Sequence, residues 1–99
     1  MKLSLVLIIF RDKSAIAKET AIFCENLLKS QKIAVLKLSS NFKSKTLQTN
    51  LESKAIIPNL VIILGGDGTV LKSSNALFKF NIPILSFNVG GNLGFLTQD

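Results

Sequence analysis

Gly65-Gly66-Asp67-Gly68-Thr69 gathers three glycines, one carboxylate and one hydroxyl into five consecutive residues. Five apolar residues, Leu60–Leu64, lead straight into it, and an amphipathic segment follows at once. Strand, glycine-rich turn and helix start is the order that phosphate-binding loops use. Glycines let a backbone take φ > 0 and approach a ligand without a Cβ in the way. Backbone N–H groups of such a turn, with the helix N-terminus behind it, hold phosphate oxygens. A carboxylate placed there, Asp67, either accepts a proton from an attacking hydroxyl or helps to hold Mg²⁺. The chemistry this implies is phosphoryl transfer.

Two common phosphate motifs fail on this stretch. A P-loop needs G-x-x-x-x-G-K-[ST]. Gly66 is followed by Leu71-Lys72-Ser73, with leucine where the second glycine belongs. A dinucleotide fingerprint needs G-x-G-x-x-G, and Leu71 again fills the last position. Asp67-Gly68 is also a hairpin signal. The segment after it, VLKSSNALFKF, does not alternate as a return strand would.

The elements that must position this loop follow from apolar patterning. Leu3–Phe10 is a near-continuous apolar run that suits a strand covered on both faces. Ser14–Ser30 reads as an amphipathic helix capped by Ser14. Its apolar side carries Ile16, Thr20, Phe23 and Leu27 beside Ala17, Cys24 and Leu28, opposite Lys18, Glu19, Glu25 and Lys29. Ile33–Leu38 is a second strand. Ser39–Ser53 is polar and weakly periodic, a surface excursion with room for a short helix over Lys43–Leu51. Pro58 extends Ile57 and introduces the third strand, Leu60–Leu64. A helix over Thr69–Phe80, with Val70, Leu71, Leu77 and Phe78 as its main apolar positions, leads to a fourth strand, Ile84–Asn88. This order implies an α/β fold: a Rossmann-like parallel sheet with helices on both faces. Ligands of such sheets bind beyond the carboxyl ends of the strands. The glycines of Gly65–Gly68 and Gly90–Gly94 both follow strands, so they are expected to wall one site.

Bulk properties bound the reading. The chain has 99 residues, which suits one domain over 1–99. Apolar residues make up 47%, a globular composition. The net charge of +6 comes from scattered lysines rather than a basic block, and it favours polyanionic partners by steering. With no histidine, imidazole chemistry is excluded. Cys24 is alone, so no intramolecular disulfide or cysteine metal cluster forms, and it reads as core packing. The eight-residue apolar run near the N-terminus is strand-sized and far short of a membrane span, so the expected location is cytoplasmic, with no membrane partner.

VIILGGDGTVL, together with IPILSFNVGGNLGFLTQD from Ile82, resembles the N-terminal domain of the NAD kinase family. The GGDGT signature is shared with diacylglycerol and sphingosine kinases and, more loosely, with phosphofructokinases. The second segment narrows the resemblance to NAD kinases. The resemblance implies that Asp67 activates the 2′-hydroxyl of the adenosine ribose of NAD. Gly65, Gly66, Gly68 and Thr69 would meet nucleotide phosphates. Asn88, Gly90, Gly91, Leu93, Gly94 and Phe95 would line the NAD pocket. ATP or polyphosphate would be the donor, with Mg²⁺ or another divalent metal, and the full-length protein would be a homo-oligomer. This chain has Ser86-Phe87-Asn88 where many bacterial members have Gly-Ile-Asn, and its Gly90–Leu93 loop is one residue longer than the commonest form. NAD kinases continue into a β-rich C-terminal domain with an Asn-Glu or Asn-Asp motif, so the chain is expected to be part of a longer protein and inactive alone. Another GGDGT-type kinase, a non-catalytic nucleotide-binding domain and a nucleic-acid-binding module stand as alternatives. The last rests on Gly91-Asn92-Leu93-Gly94, a G-x-x-G that follows a strand rather than joining two helices as KH domains require.

Overall fold

Four apolar segments pair side by side as β1 (Leu5–Phe10), β2 (Ala34–Ser39), β3 (Leu60–Leu64) and β4 (Ile84–Phe87). The structure is a computed structural model that describes residues 2–54 and 56–88. All three pairings are parallel, in the order β2-β1-β3-β4. Phe10 pairs with both Ser39 and Leu64, and Leu64 with Phe87, so the four strands end level. The Rossmann-like expectation holds, because helices cover both faces. Val6, Ile8, Ile62 and Leu64 form one core with Ala17 and Ala21 of α1 (Ala15–Ser30). Leu7, Ile9, Val61 and Ile63 form the other with Leu51 of α2 (Ser44–Lys54), Phe42, and Ala76 and Leu77 of α3 (Asp67–Leu77). A short 3₁₀ turn, Phe78–Phe80, closes α3.

α1 begins where Ser14 caps it, its hydroxyl accepting from the Ala17 N–H at 3.0 Å. Its buried face matches the expected one only at Ala17, Cys24 and Leu28. Ala17 and Ala21 face the sheet, with Cys24 and Leu28 packed beside them, while Ile16, Phe23 and Leu27 stay exposed. Small side chains at the contact let the helix lie close to the strands, so the larger stripe is carried to one flank. Glu25 fixes the other flank over β2, pairing with Lys37 at 3.0 Å and with Lys29 at 2.9 Å. Lys29 and then Lys37 hold the Glu25 carboxyl below its usual range.

Two further expectations need correction. The stretch after β2 is not a surface excursion. It folds into α2, longer than the short helix expected there, and delivers Phe42 and Leu51 to the core. α3 starts at Asp67 rather than Thr69 and ends at Leu77, and its buried face is Ser73, Ala76 and Leu77. Leu71 and Phe78, expected as apolar anchors, are 64% and 85% exposed.

Opposite the glycine turn, Asn59 binds the strand entries together. Its Oδ1 accepts from the Ser4 N–H (2.7 Å), the Ser4 hydroxyl (2.8 Å) and the Leu5 N–H (2.9 Å). Its own N–H donates to the Leu5 carbonyl at 2.8 Å, which sets β1 against β3 before pairing begins.

A buried strand position and the exposed stripe of α1 make a direct comparison. Ile63→Ala is expected to cost about 2–5 kcal/mol in urea unfolding, since it empties a fully buried site. Phe23→Ala, on the exposed stripe, is expected to change stability by less than about 0.5 kcal/mol.

Candidate functional site

The strand order creates a crevice. From β1 the chain crosses through α1, on one face, to β2. From β3 it crosses through α3, on the other face, to β4, on the opposite side of the sheet. The connections diverge between β1 and β3, and ligands of open α/β sheets bind at such a switch point, beyond the strands' carboxyl ends.

Backbone hydrogen bonds hold the loops at this edge. The Arg11 N–H donates to the Leu64 carbonyl (2.8 Å), that of Ser40 to the Phe10 carbonyl (2.8 Å), and that of Gly65 to the Phe87 carbonyl (3.0 Å). Gly66 is the N-cap of α3, in extended conformation and with no side chain to bond the first N–H groups. Its carbonyl accepts from the Val70 N–H at 3.1 Å, which starts the helix immediately. The leading N–H groups of α3 are therefore left without a capping side chain and face the positive end of the helix dipole outward.

The glycines serve a different purpose from the one their number suggests. None of Gly65, Gly66 and Gly68 lies in the left-handed region. At Gly65 a Cβ would stand 2.9 Å from the Thr69 Oγ1 and 3.1 Å from its Cβ, so this glycine makes room for Thr69. At Gly66 and Gly68 a Cβ would meet nothing within 4 Å. Neither of those two is required by the fold's own packing, and both leave bare backbone at the helix N-terminus.

Beside this turn lies a cleft of about 430 Å³ lined by Arg11, Asp12, Lys13, Ser40, Asn41, Gly68, Thr69 and Lys72. A polar web supports it. The Asp12 N–H donates to the Ser40 hydroxyl (2.8 Å), and the Ser39 hydroxyl donates to the Asp12 carboxylate (2.8 Å). The Lys72 ammonium donates to the Ser40 carbonyl (2.8 Å) and lies 4.3 Å from the centre of the Phe42 ring. Sequence reasoning did not assign Arg11, Asp12, Lys13, Ser40, Asn41 or Lys72 to the site. The available signal was the charged triplet directly after the first strand, at the same edge as the glycine turn.

The predicted residues fall as follows. Gly65 is buried at the end of β3, Gly66 caps α3, and Asp67 is the exposed first residue of that helix. Gly68 and Thr69 line the cleft. Asn88 is exposed immediately after β4, which ends at Phe87 rather than Asn88. Gly90, Gly91, Leu93, Gly94 and Phe95 lie outside the described residues. No group of three or more His, Cys, Asp or Glu gathers to hold a metal among the described residues.

Fold and site together define an α/β domain whose strand edge presents a bare helix N-terminus, a carboxylate and a basic cleft. Comparison with known proteins gives the family. Residues 6–98 match the family model of the ATP-NAD kinase N-terminal domain, and the chain belongs to that family. Over 94 residues, 95% of this chain, it is 54% identical to NAD kinase 1 of Prochlorococcus marinus subsp. pastoris, covering 31% of that protein. It is 48% identical over its whole length to NAD kinase 1 of Prochlorococcus marinus strain SARG, covering 32% of it. With NAD kinase 1 of a Synechococcus strain it shares 41% over 98 residues, again 32% of that protein. The chain thus spans about a third of the length of these curated relatives. No solved structure matches it.

The glycines make the structural part of this site testable. Gly68→Ala is expected to raise stability by about 0.5–1 kcal/mol, because the added methyl enters open space on a helical residue. Gly65→Ala is expected to lower it by about 1–3 kcal/mol through the clash with Thr69. Thermal or urea unfolding of the two variants reads the opposite signs.

Proposed function

We propose that this chain is the phosphate-handling part of an enzyme that transfers a phosphoryl group from ATP to the 2′-hydroxyl of the adenosine ribose of NAD, giving NADP. The observation that carries the reading is the first turn of α3: a side-chain-free cap, an open Gly68 and an exposed Asp67 in consecutive positions. Membership in the ATP-NAD kinase family supports the choice of substrates.

In this reading the N–H groups at the start of α3 hold phosphate oxygens of the donor. Asp67 accepts the proton of the 2′-hydroxyl as its oxygen attacks the terminal phosphorus, and the bond to the bridging oxygen breaks to release ADP. Thr69, in the cleft wall, adds a hydroxyl to the phosphate contacts. Asn88, with Gly90, Gly91, Leu93, Gly94 and Phe95, lines the NAD side. Mg²⁺ would be held by one or two carboxylates plus substrate phosphates rather than by a dedicated cage, and when bound it would supply charge neutralisation. Two broader properties belong to the same proposal. Cytoplasmic location is one, and among the described residues no helix is long and apolar enough to cross a membrane. Assembly of the longer protein as a homo-oligomer is supported by the exposed apolar residues Leu85 and Phe87 on the edge strand β4.

The test is NADP formation by the longer protein that carries this chain. Asp67→Asn is expected to lower kcat by about 10²–10⁴-fold with little change in folding stability. Full activity of that variant would remove the proton-accepting role. Residues 1–99 alone are expected to form no NADP, and measurable turnover by them would show that no other part of the protein is needed. Gly68→Ala is expected to raise KM for the donor while the fold gains stability, a combination that a purely structural glycine does not give.

A further inference from the structure

We infer that Arg11, Lys13 and Lys72 make the cleft beside α3 a second seat for a linear phosphate chain, with Lys72 as the cation that sets how tightly the chain is held. The inference rests on the reading of the glycine turn as a phosphate loop, and it extends that site to residues outside the GGDGT signature.

The charges in the cleft are unbalanced. Three cations line it against one carboxylate, Asp12, and Asp67 is not among its lining residues. The ion pairs formed among the described residues are Lys29 and Lys37 with Glu25, and Lys79 with Glu52. None of the three cleft cations is in them. Asp12 is not available as a flexible counter-charge, because its carboxylate accepts from the Ser39 hydroxyl and its own N–H donates to the Ser40 hydroxyl.

Lys72 is the most constrained of the three. It is half-buried, whereas Arg11 and Lys13 are exposed. An ammonium has three N–H donors. Lys72 gives one to the Ser40 carbonyl and rests on the Phe42 ring, so its charge is oriented by neutral groups rather than neutralised. A cation held in this way keeps donors for an anion and loses little side-chain freedom on binding it. Gly68 and Thr69, on the same wall, bring the helix N-terminus into the cleft, so one phosphate group at the turn and the next beside Lys72 form a continuous path. Arg11 and Lys13 line the same cleft. The volume of about 430 Å³ lies within the range of small-ligand sites. The ligand class is therefore a chain of linked phosphates, whether the tail of a nucleoside triphosphate or an inorganic polyphosphate.

Calorimetric titration of the 99-residue chain with inorganic tripolyphosphate tests this, with orthophosphate as the short probe. Tripolyphosphate is expected to bind more tightly than orthophosphate. Lys72→Met, which removes the ammonium but keeps an unbranched side chain of similar reach, is expected to weaken tripolyphosphate about tenfold. Lys13→Met, on an exposed loop, is expected to weaken it less and serves if Lys72→Met fails to fold. Lys43→Met, outside the cleft, is expected to match the parent. Equal losses from all three lysines would mean diffuse charge attraction and would overturn the inference. Unchanged binding in Lys72→Met and Lys13→Met, with loss in Gly68→Ala, would overturn it while leaving the phosphate loop intact. Unchanged binding in all three would remove both. ATP and inorganic tripolyphosphate compared side by side tell the two sources of the chain apart.

Discussion

Burial of β1 and β3 on both faces is the constraint from which the site follows. Val6, Ile8, Ile62 and Leu64 point to one side, and Leu7, Ile9, Val61 and Ile63 to the other. Each fully buried aliphatic side chain contributes about 1.5–3 kcal/mol against exposure. With apolar contacts on both sides, a one-residue slip would exchange the two faces of a strand and repack both cores at once. The observed register therefore sets where the strands end, and it ends them level. The loops after β1, β2 and β3 must then leave at one height, which is what lets residues as far apart as Arg11, Ser40 and Gly68 share a cleft.

The glycine turn is economical for the same reason. β3 must stop and α3 must start within two residues, and the chain does so without a left-handed residue. What the turn requires is space. Thr69 occupies the space a Gly65 side chain would need. Gly66 and Gly68 are bare where nothing in the fold presses on them. Conformational freedom was the natural reading of three glycines in sequence, but local crowding at one and open space at two is the physical account.

The strands were legible because burial on both faces leaves continuous apolar runs, and Leu60–Leu64 was readable to the residue. Faces of helices were harder. In α1 the largest apolar residues marked a stripe, but alanines make the contact, since distance to the sheet decides what fits there and size alone does not. Residues 39–53 looked like a surface loop because polar side chains dominate them, and Phe42 and Leu51 were too sparse to show a period. Of the candidate site, the strand–glycine turn–helix order was legible from local sequence alone. Its cationic wall was not, because Arg11, Lys13 and Lys72 look like parts of a scattered lysine-rich surface until the topology brings them together. The loop from Gly90 to Phe95 lies outside the described residues.

A carboxylate and a phosphate chain at one helix N-terminus compete for the same positive field. Helical geometry offers a way to separate them. Successive residues point about 100° apart, so Asp67, Gly68 and Thr69 cannot all face one side. Gly68 and Thr69 belong to the cleft wall, and Asp67 does not. The cations lie on the cleft side, where a phosphate chain would need them, and the carboxylate is left to the exposed side. In the proposed reaction an acid placed there would meet the acceptor hydroxyl from the side away from the cleft cations. On the proposed function, the signature's order, with the acid ahead of glycine and threonine, would divide one helical turn between the acceptor hydroxyl and the donor phosphates.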